Sequence, residues 1–182
     1  MRPLSLPSPA WKCALAGIGL AMVSMAAIEP LDLERMADLA PLRLAGEIVS
    51  RQGFMGHHPG LGQVPMTRLT VAGRDLATGE RKTVQVAYLG GTVKGLSLRC
   101  STQPPDRETA PGTQVVVFAA PEEVYGCTML VAQYGGIFRL QRGEAGQVVV
   151  GKGPGTAVPR NILLAELEAD LARIDAGERR ER

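Results

Sequence analysis

Two runs of apolar–polar alternation, joined by a short turn signal, constrain this chain more than any other feature. In Met66–Leu76, Thr67, Leu69 and Val71 fall on one face and Arg68, Thr70 and Arg74 on the other. In Lys82–Leu89, Val84, Val86 and Tyr88 oppose Thr83, Gln85 and Ala87. A period of two marks a half-buried β-strand. Thr78-Gly79-Glu80 between the runs supplies a hairpin turn, because glycine reaches the left-handed conformations that tight turns demand. The centre of the chain is thereby committed to β-structure.

The flanking segments extend this pattern. Leu42–Gln52 reads as a first strand with imperfect alternation, and Gln114–Ala120 (QVVVFAA) is a continuous apolar run expected at the middle of a covered sheet. Gly95–Cys100, Met129–Gln133, Ile137–Arg142 and Gln147–Val150 are further short strands, the last two joined by Gly143-Glu144-Ala145-Gly146. Gly53–Pro65, Ser101–Gly112 and Gly151–Pro159 lack periodicity and read as loops, the first of them flexible. Ile28–Ala40 predicts a short helix started by Pro30 and Asp32, and a C-terminal helix over 160–176 carries an apolar stripe of Leu163, Leu164, Leu167, Leu171 and Ile174. That stripe is expected to pack on the β-structure, because its polar face is acidic and ill-suited to anionic lipid. Seven or eight short strands with a helix at each end predict a mainly β fold, a small antiparallel barrel. A two-sheet sandwich is the alternative.

The first residues give the compartment. Arg2 and Lys12 are the only charges before Glu29, Ala14–Ala27 is apolar or small, and Ser24-Met25-Ala26 ends that run as a small-x-small cleavage signature. This is the order of a secretory signal peptide, predicted as 1–26 with cleavage near Ala26 or Ala27. The run is shorter than the ~20 residues a spanning helix needs. The predicted product is therefore secreted or periplasmic without stable membrane insertion, a single domain over 27–176 with a charged tail at 177–182. Removing Arg2 and Lys12 from the 20 basic residues leaves 18, against 18 acidic. The basic excess that marks nucleic-acid binders is then absent. Of three cysteines, Cys13 leaves with the signal, and Cys100 and Cys127 remain as an expected disulfide in an oxidising compartment.

Sites for chemistry are sparse. His57 and His58 are the only histidines, adjacent in the glycine-rich loop. They are weak candidates for a metal, since a zinc site needs a third ligand and no HxH or HExxH spacing exists. As the base of a nucleophilic triad either would sit on a loop, and Cys100 or Cys127 could serve as nucleophile only if unbridged. Glu47, Asp75, Glu80, Asp106, Glu108, Glu122, Glu123 and Glu144 fall on faces or turns where charges ordinarily sit. Gly151-Lys152-Gly153-Pro154-Gly155-Thr156 mimics a phosphate loop, but its lysine lacks a following Ser or Thr and Pro154 lacks an amide donor. An OB-type nucleic-acid face needs aromatic platforms. After Trp11 is removed only Phe54, Tyr88, Phe118, Tyr125, Tyr134 and Phe138 remain, most at core positions. No catalytic residue and no cofactor is expected.

The succession "MADLA", "LRLAGEIVSRQ", "PMTRLTVAGRDLATGERKTVQVAYLGG", "GTQVVVFA" and "YGGIFRL" resembles a group of uncharacterised bacterial secreted proteins, across roughly residues 31–150. At pattern level it is also similar to the netrin/tissue-inhibitor-like branch of OB-folds, which implies an OB-like barrel. The inhibitors of that branch chelate a target's zinc through an N-terminal cysteine. Here the mature N-terminus would be Ala27 or Ile28, so that chemistry does not carry over. The expected function is an exported, non-catalytic barrel that binds a protein partner, such as an exported protease. A small metal-dependent hydrolase using His57 and His58, and a structural envelope component, are the alternatives.

Overall fold

A computed structural model describes residues 31–178. The predicted signal peptide, with Cys13, lies outside these residues, as does the end of the charged tail. The chain opens with helix α1, Leu33–Leu39, whose N-cap Asp32 accepts a hydrogen bond from the Arg35 amide at 2.8 Å. Met36 and Ala37 face inward from it. Next come strands β1, Leu42–His58, and β2, Gly62–Asp75, paired antiparallel from Leu44↔Asp75 to His58↔Gly62. β3, Arg81–Leu89, returns beside β2. A small hairpin of β4, Gly91–Val93, and β5, Leu96–Leu98, precedes the long connection to β6, Gln114–Glu122. β7, Cys127–Leu130, then β8, Ile137–Gly143, and β9, Gly146–Val149, follow. A two-residue strand β10, Ile162–Leu163, leads into helix α2, Leu164–Asp175.

The strands close on themselves. The order runs β1-β2-β3-β7-β6, and β6 pairs again with β1 from Leu42↔Ala119 to Glu47↔Gln114. The result is a closed five-stranded barrel, and this last pairing rules out the two-sheet alternative. One expectation needs correcting: the barrel is not wholly antiparallel, because β3 and β7 run parallel at Ala87↔Met129. Parallel neighbours require a crossover. The β4–β5 hairpin, the segment up to Gln114, β6 itself and the 3-10 turn at Glu123–Tyr125 together provide it.

Two cores result. The barrel interior holds Leu44, Ile48, Leu69, Val71, Val86, Tyr88, Val115, Val117 and Ile137, the inward residues of alternating strands. Outside the barrel, Val116, Phe118 and Phe138 meet Met36 of α1 and Leu164, Leu167 and Leu171 of α2. β6 is therefore covered on both faces, as its unbroken apolar run predicts. Phe118 and Phe138 meet edge to face at 5.9 Å. Arg43 fastens the two helices to β1, bonding the Ala40 carbonyl at 3.0 Å and pairing with Asp175 at 2.8 Å. Among the described residues no helix is long and apolar enough to cross a membrane.

The largest departure from expectation is Gly53–Pro65. It is no flexible loop: all of it but Pro59-Gly60-Leu61 lies in β1 and β2. The imperfect alternation of β1 has a cause as well, a bulge between Ile48 and Ser50 that inserts Val49.

Candidate functional site

Beyond Glu47, β1 leaves the barrel wall. Its last bonds toward the β6 side are made by Ile48, whose N–H donates to the Thr113 carbonyl (3.0 Å) and whose carbonyl accepts from Gly112 (2.8 Å). From Ser50 to His58, β1 has only β2 as strand partner, and the two form a two-stranded arm. Both faces of the arm are buttressed. On one, Gly53 lies so close to β4 that a Cβ there would stand 2.7 Å from the Thr92 carbonyl oxygen. On the same face Thr67 Oγ1 donates to the Gly90 carbonyl at 2.7 Å. On the other, Val64 and Met66 pack with Ala87 and Met129, flanked by Phe54, Tyr125 and Cys127. The Arg68 guanidinium lies over the Phe54 ring, 4.4 Å from its centre. At the tips stand three exposed apolar residues: Leu61 in the arm's turn (66% exposed), Leu96 in the β4–β5 hairpin (59%) and Val124 before β7 (53%).

The arm separates the two histidines. Neighbours in a strand point to opposite faces. His58 Nδ1 accepts the Gly60 amide at 3.1 Å, and its ring meets Tyr125 edge-on at 5.9 Å. His57 is exposed. The pair therefore does not converge, and among the described residues no group of three or more His, Cys, Asp or Glu side chains is arranged to hold a metal ion. The expected disulfide is also corrected: Cys100 and Cys127 are both free thiols. Cys100 follows β5, while Cys127 opens β7 with Sγ 3.6 Å from Met129 Sδ. Burial raises the pKa of both thiols, partly offset at Cys127 by Arg68.

The second concentration of chemistry caps one end of the barrel. The segment expected as a polar loop, Ser101–Gly112, contains a 3-10 turn at Asp106–Glu108, and Glu108 and Thr109 are buried. Asp106 pairs with Arg51 at 2.5 Å. Thr109 accepts a long bond from the Tyr88 hydroxyl inside the barrel (3.4 Å), and Glu108 accepts one from Tyr134 (3.1 Å). Burial and then the charge and bond of Glu108 raise the Tyr134 pKa. Lys152 completes the cluster. Its Nζ donates to the carbonyls of Tyr134 and Ile137 and sits over the Tyr134 and Phe138 rings, 3.3 and 4.8 Å from their centres. Desolvation lowers its pKa to about 7, opposed by Glu108. An amine near neutrality is a potential nucleophile. Here both carbonyl contacts tie it to the backbone, so Lys152 works as a clamp.

Of the eight carboxylates considered from sequence, Asp75 and Glu108 are buried, contrary to expectation. Asp75 is absorbed structurally, accepting from the Ala77 and Thr78 amides and pairing with Lys82. Glu47 accepts from Gln114, and Glu80, Glu122, Glu123 and Glu144 are exposed. A cleft of about 680 Å³ lies on the outer face of β1–β3, floored by Gly46 and Gly73 and rimmed by Arg74, Arg81 and Lys82. Sequence reasoning missed the arm, whose turn is only Pro59-Gly60-Leu61, and it dismissed Lys152 along with the false phosphate loop. No family model, curated protein or solved structure matches this chain.

Proposed function

We propose that this protein is an exported, non-catalytic β-barrel that binds a protein partner, in the periplasm or outside the cell, through the β1–β2 arm. The observation that carries the proposal is the arm itself: a two-stranded projection held on both faces, with Leu61 exposed at its turn and Leu96 and Val124 exposed on the segments that brace it. Single exposed apolar residues are ordinary, whereas several on adjoining projections suit a protein contact. Buttressing also limits the ordering cost of association. The signal-like N-terminus supports export, and an exported protease remains a candidate partner.

The test is cross-linking of the full chain in cells, followed by recovery from the periplasmic and secreted fractions. A discrete cross-linked partner should be recovered with the wild type and lost with Leu61→Asp/Leu96→Asp, while both proteins show the same thermal midpoint. Recovery of the same partner by both, or retention of the chain in the cytoplasm, overturns the proposal.

A further inference from the structure

The barrel wall is continuous, but the arm has one edge with which no strand among the described residues pairs. Which backbone groups lie on it follows from two independent contacts. Ile48 directs its N–H and carbonyl to Thr113 and Gly112, away from β2. In an antiparallel ladder successive positions alternate sides. With Val49 taken out by the bulge, Ser50, Gln52, Phe54 and Gly56 bond β2, and Arg51, Gly53, Met55 and His57 face outward. Pro65 gives the same answer from the other strand. It pairs with Met55, has no N–H to donate, and accepts the Gly90 amide at 3.1 Å on the β3 side. A pair that makes no mutual bonds leaves Met55 facing outward.

By this register the N–H and carbonyl groups of Arg51, Gly53, Met55 and His57 point away from β2, and no other strand forms a ladder with β1 there. They span about 20 Å at the strand rise. Exposed strand edges are commonly guarded by lysine, proline or a bulge. From Ser50 to His57 this one carries neither lysine nor proline, and Gly53 and His57 are exposed. The arm and the hairpin against it contribute cations to its surroundings, with Asp106 and the Glu122–Glu123 turn as the acidic groups beside them. No Asp or Glu occurs between Ile48 and Arg74 or between Arg81 and Pro105; Arg51 is paired with Asp106, and Arg68, Lys94 and Arg99 are the remaining cations of the arm and of the hairpin segment against it. Although the chain as a whole is nearly balanced, the arm and the hairpin against it are basic.

We infer that the open edge of β1, from Arg51 to His57, is a strand-addition site for an extended acidic segment of the partner. This deepens the proposed function and rests on it. Added strands gain affinity from main-chain bonds and specificity from alternate side chains, and acidic residues on the incoming strand would meet Arg68 of the arm and Lys94 of the hairpin against it.

The probe is an eight-residue peptide of alternating Glu and Val, with its Lys/Val counterpart as control, titrated into the full-length chain and followed by amide hydrogen exchange and NMR. The acidic peptide should bind at least tenfold more tightly. It should protect the amides of Arg51, Gly53, Met55 and His57, and leave the already bonded amides of Gln52, Phe54 and Gly56 unchanged. Met55→Pro removes an outward N–H without removing a bond to β2, and should abolish that protection. His57→Pro, at the exposed end of the edge, should reduce it even if Met55→Pro disturbs the arm. Equal affinity for both peptides, or protection elsewhere, overturns the inference; the proposed function stands in that case if partner recovery still depends on Leu61 and Leu96. Protection of the same amides by self-association, rising with protein concentration and without peptide, overturns it in favour of a second copy. Displacement of the peptide by an oligonucleotide that itself gives no amide protection overturns it in favour of a general polyanion surface.

Discussion

The ammonium of Lys152 is gripped twice by Tyr134: it lies 3.3 Å from the centre of the ring and donates to the carbonyl of the same residue. The Ile137 carbonyl takes a second bond, so one side chain holds the 3-10 turn at Gln133–Gly136 to the start of β8.

This geometry sets a pH dependence. The Lys152 pKa falls from 10.5 to about 7 on folding, chiefly through desolvation. Between those values the unfolded chain binds the additional proton, so this group makes stability rise with pH. From pH 7 to pH 9 the gain should be on the order of 2 kcal/mol. Urea unfolding of the wild type and Lys152→Met across that range checks it. The difference between the two should move with pH, and a constant difference would refute the assignment.

Gly46 and Gly73 are directly opposed in β1 and β2, and each leaves no space for a side chain. A Cβ on Gly46 would stand 2.2 Å from the Ala72 carbonyl oxygen, and one on Gly73 the same distance from that of Ala45. Both obstacles are backbone atoms, so relief requires the strands to part. Gly46→Ala and Gly73→Ala should each cost about 2–3 kcal/mol, in the range of overpacked cores. Gly79→Ala, with a φ of +77° but nothing within 4 Å, is the control and should cost about 1 kcal/mol. Thermal denaturation of the three variants should rank them in that order.

Asp75 organises the β2–β3 turn. Its side chain is 5% exposed, yet the bond from Lys82 and the amides of Thr78 and Ala77 outweigh burial and hold its pKa below 3.8. The stability it contributes is therefore complete above the unfolded carboxyl value and disappears as pH falls through the lower folded one. Asp75→Ala should cost about 1–3 kcal/mol at pH 7. The gap from wild type should narrow toward pH 2, as acid denaturation curves would show.

Cys100 and Cys127 should both be alkylated under non-reducing, denaturing conditions, and mass mapping would find each one tagged. In the native protein both should react slowly, since burial raises both pKa values and the thiolate is the reacting species. A peptide pair linked through the two residues would contradict the structure.

Much of the fold was legible because alternation reports burial directly. The face carrying Leu69 and Val71, and that of Val86 and Tyr88, lines the barrel, and the unbroken run of β6 is covered on both sides. The stripe of α2 packs as its spacing predicts, through Leu164, Leu167 and Leu171. The arm was hidden because Gly53, Gly56 and Pro65 read locally as loop punctuation. In the fold Gly56 has Met66 where a Cβ would be, with Sδ 2.1 Å away, and Pro65 directs its carbonyl to Gly90. The disulfide expectation rested on counting, which carries no information about where two strands place their sulfurs. Lys152 was passed over because its partners are carbonyls and rings far along the chain, and no short spacing encodes those.

The pairing of Leu42 with Ala119, which closes the barrel, joins residues far apart along the chain. Bringing such distant segments together carries an entropic cost that local contacts do not offset until late. The hairpin of β1 and β2 can form early, but its inward face stays uncovered until β6 arrives. Refolding should therefore be slow, in the millisecond-to-second range of non-local β topologies. A nascent chain ending at β3 would expose Leu69, Val71 and Val86 to solvent and remain prone to aggregation until the second half is made.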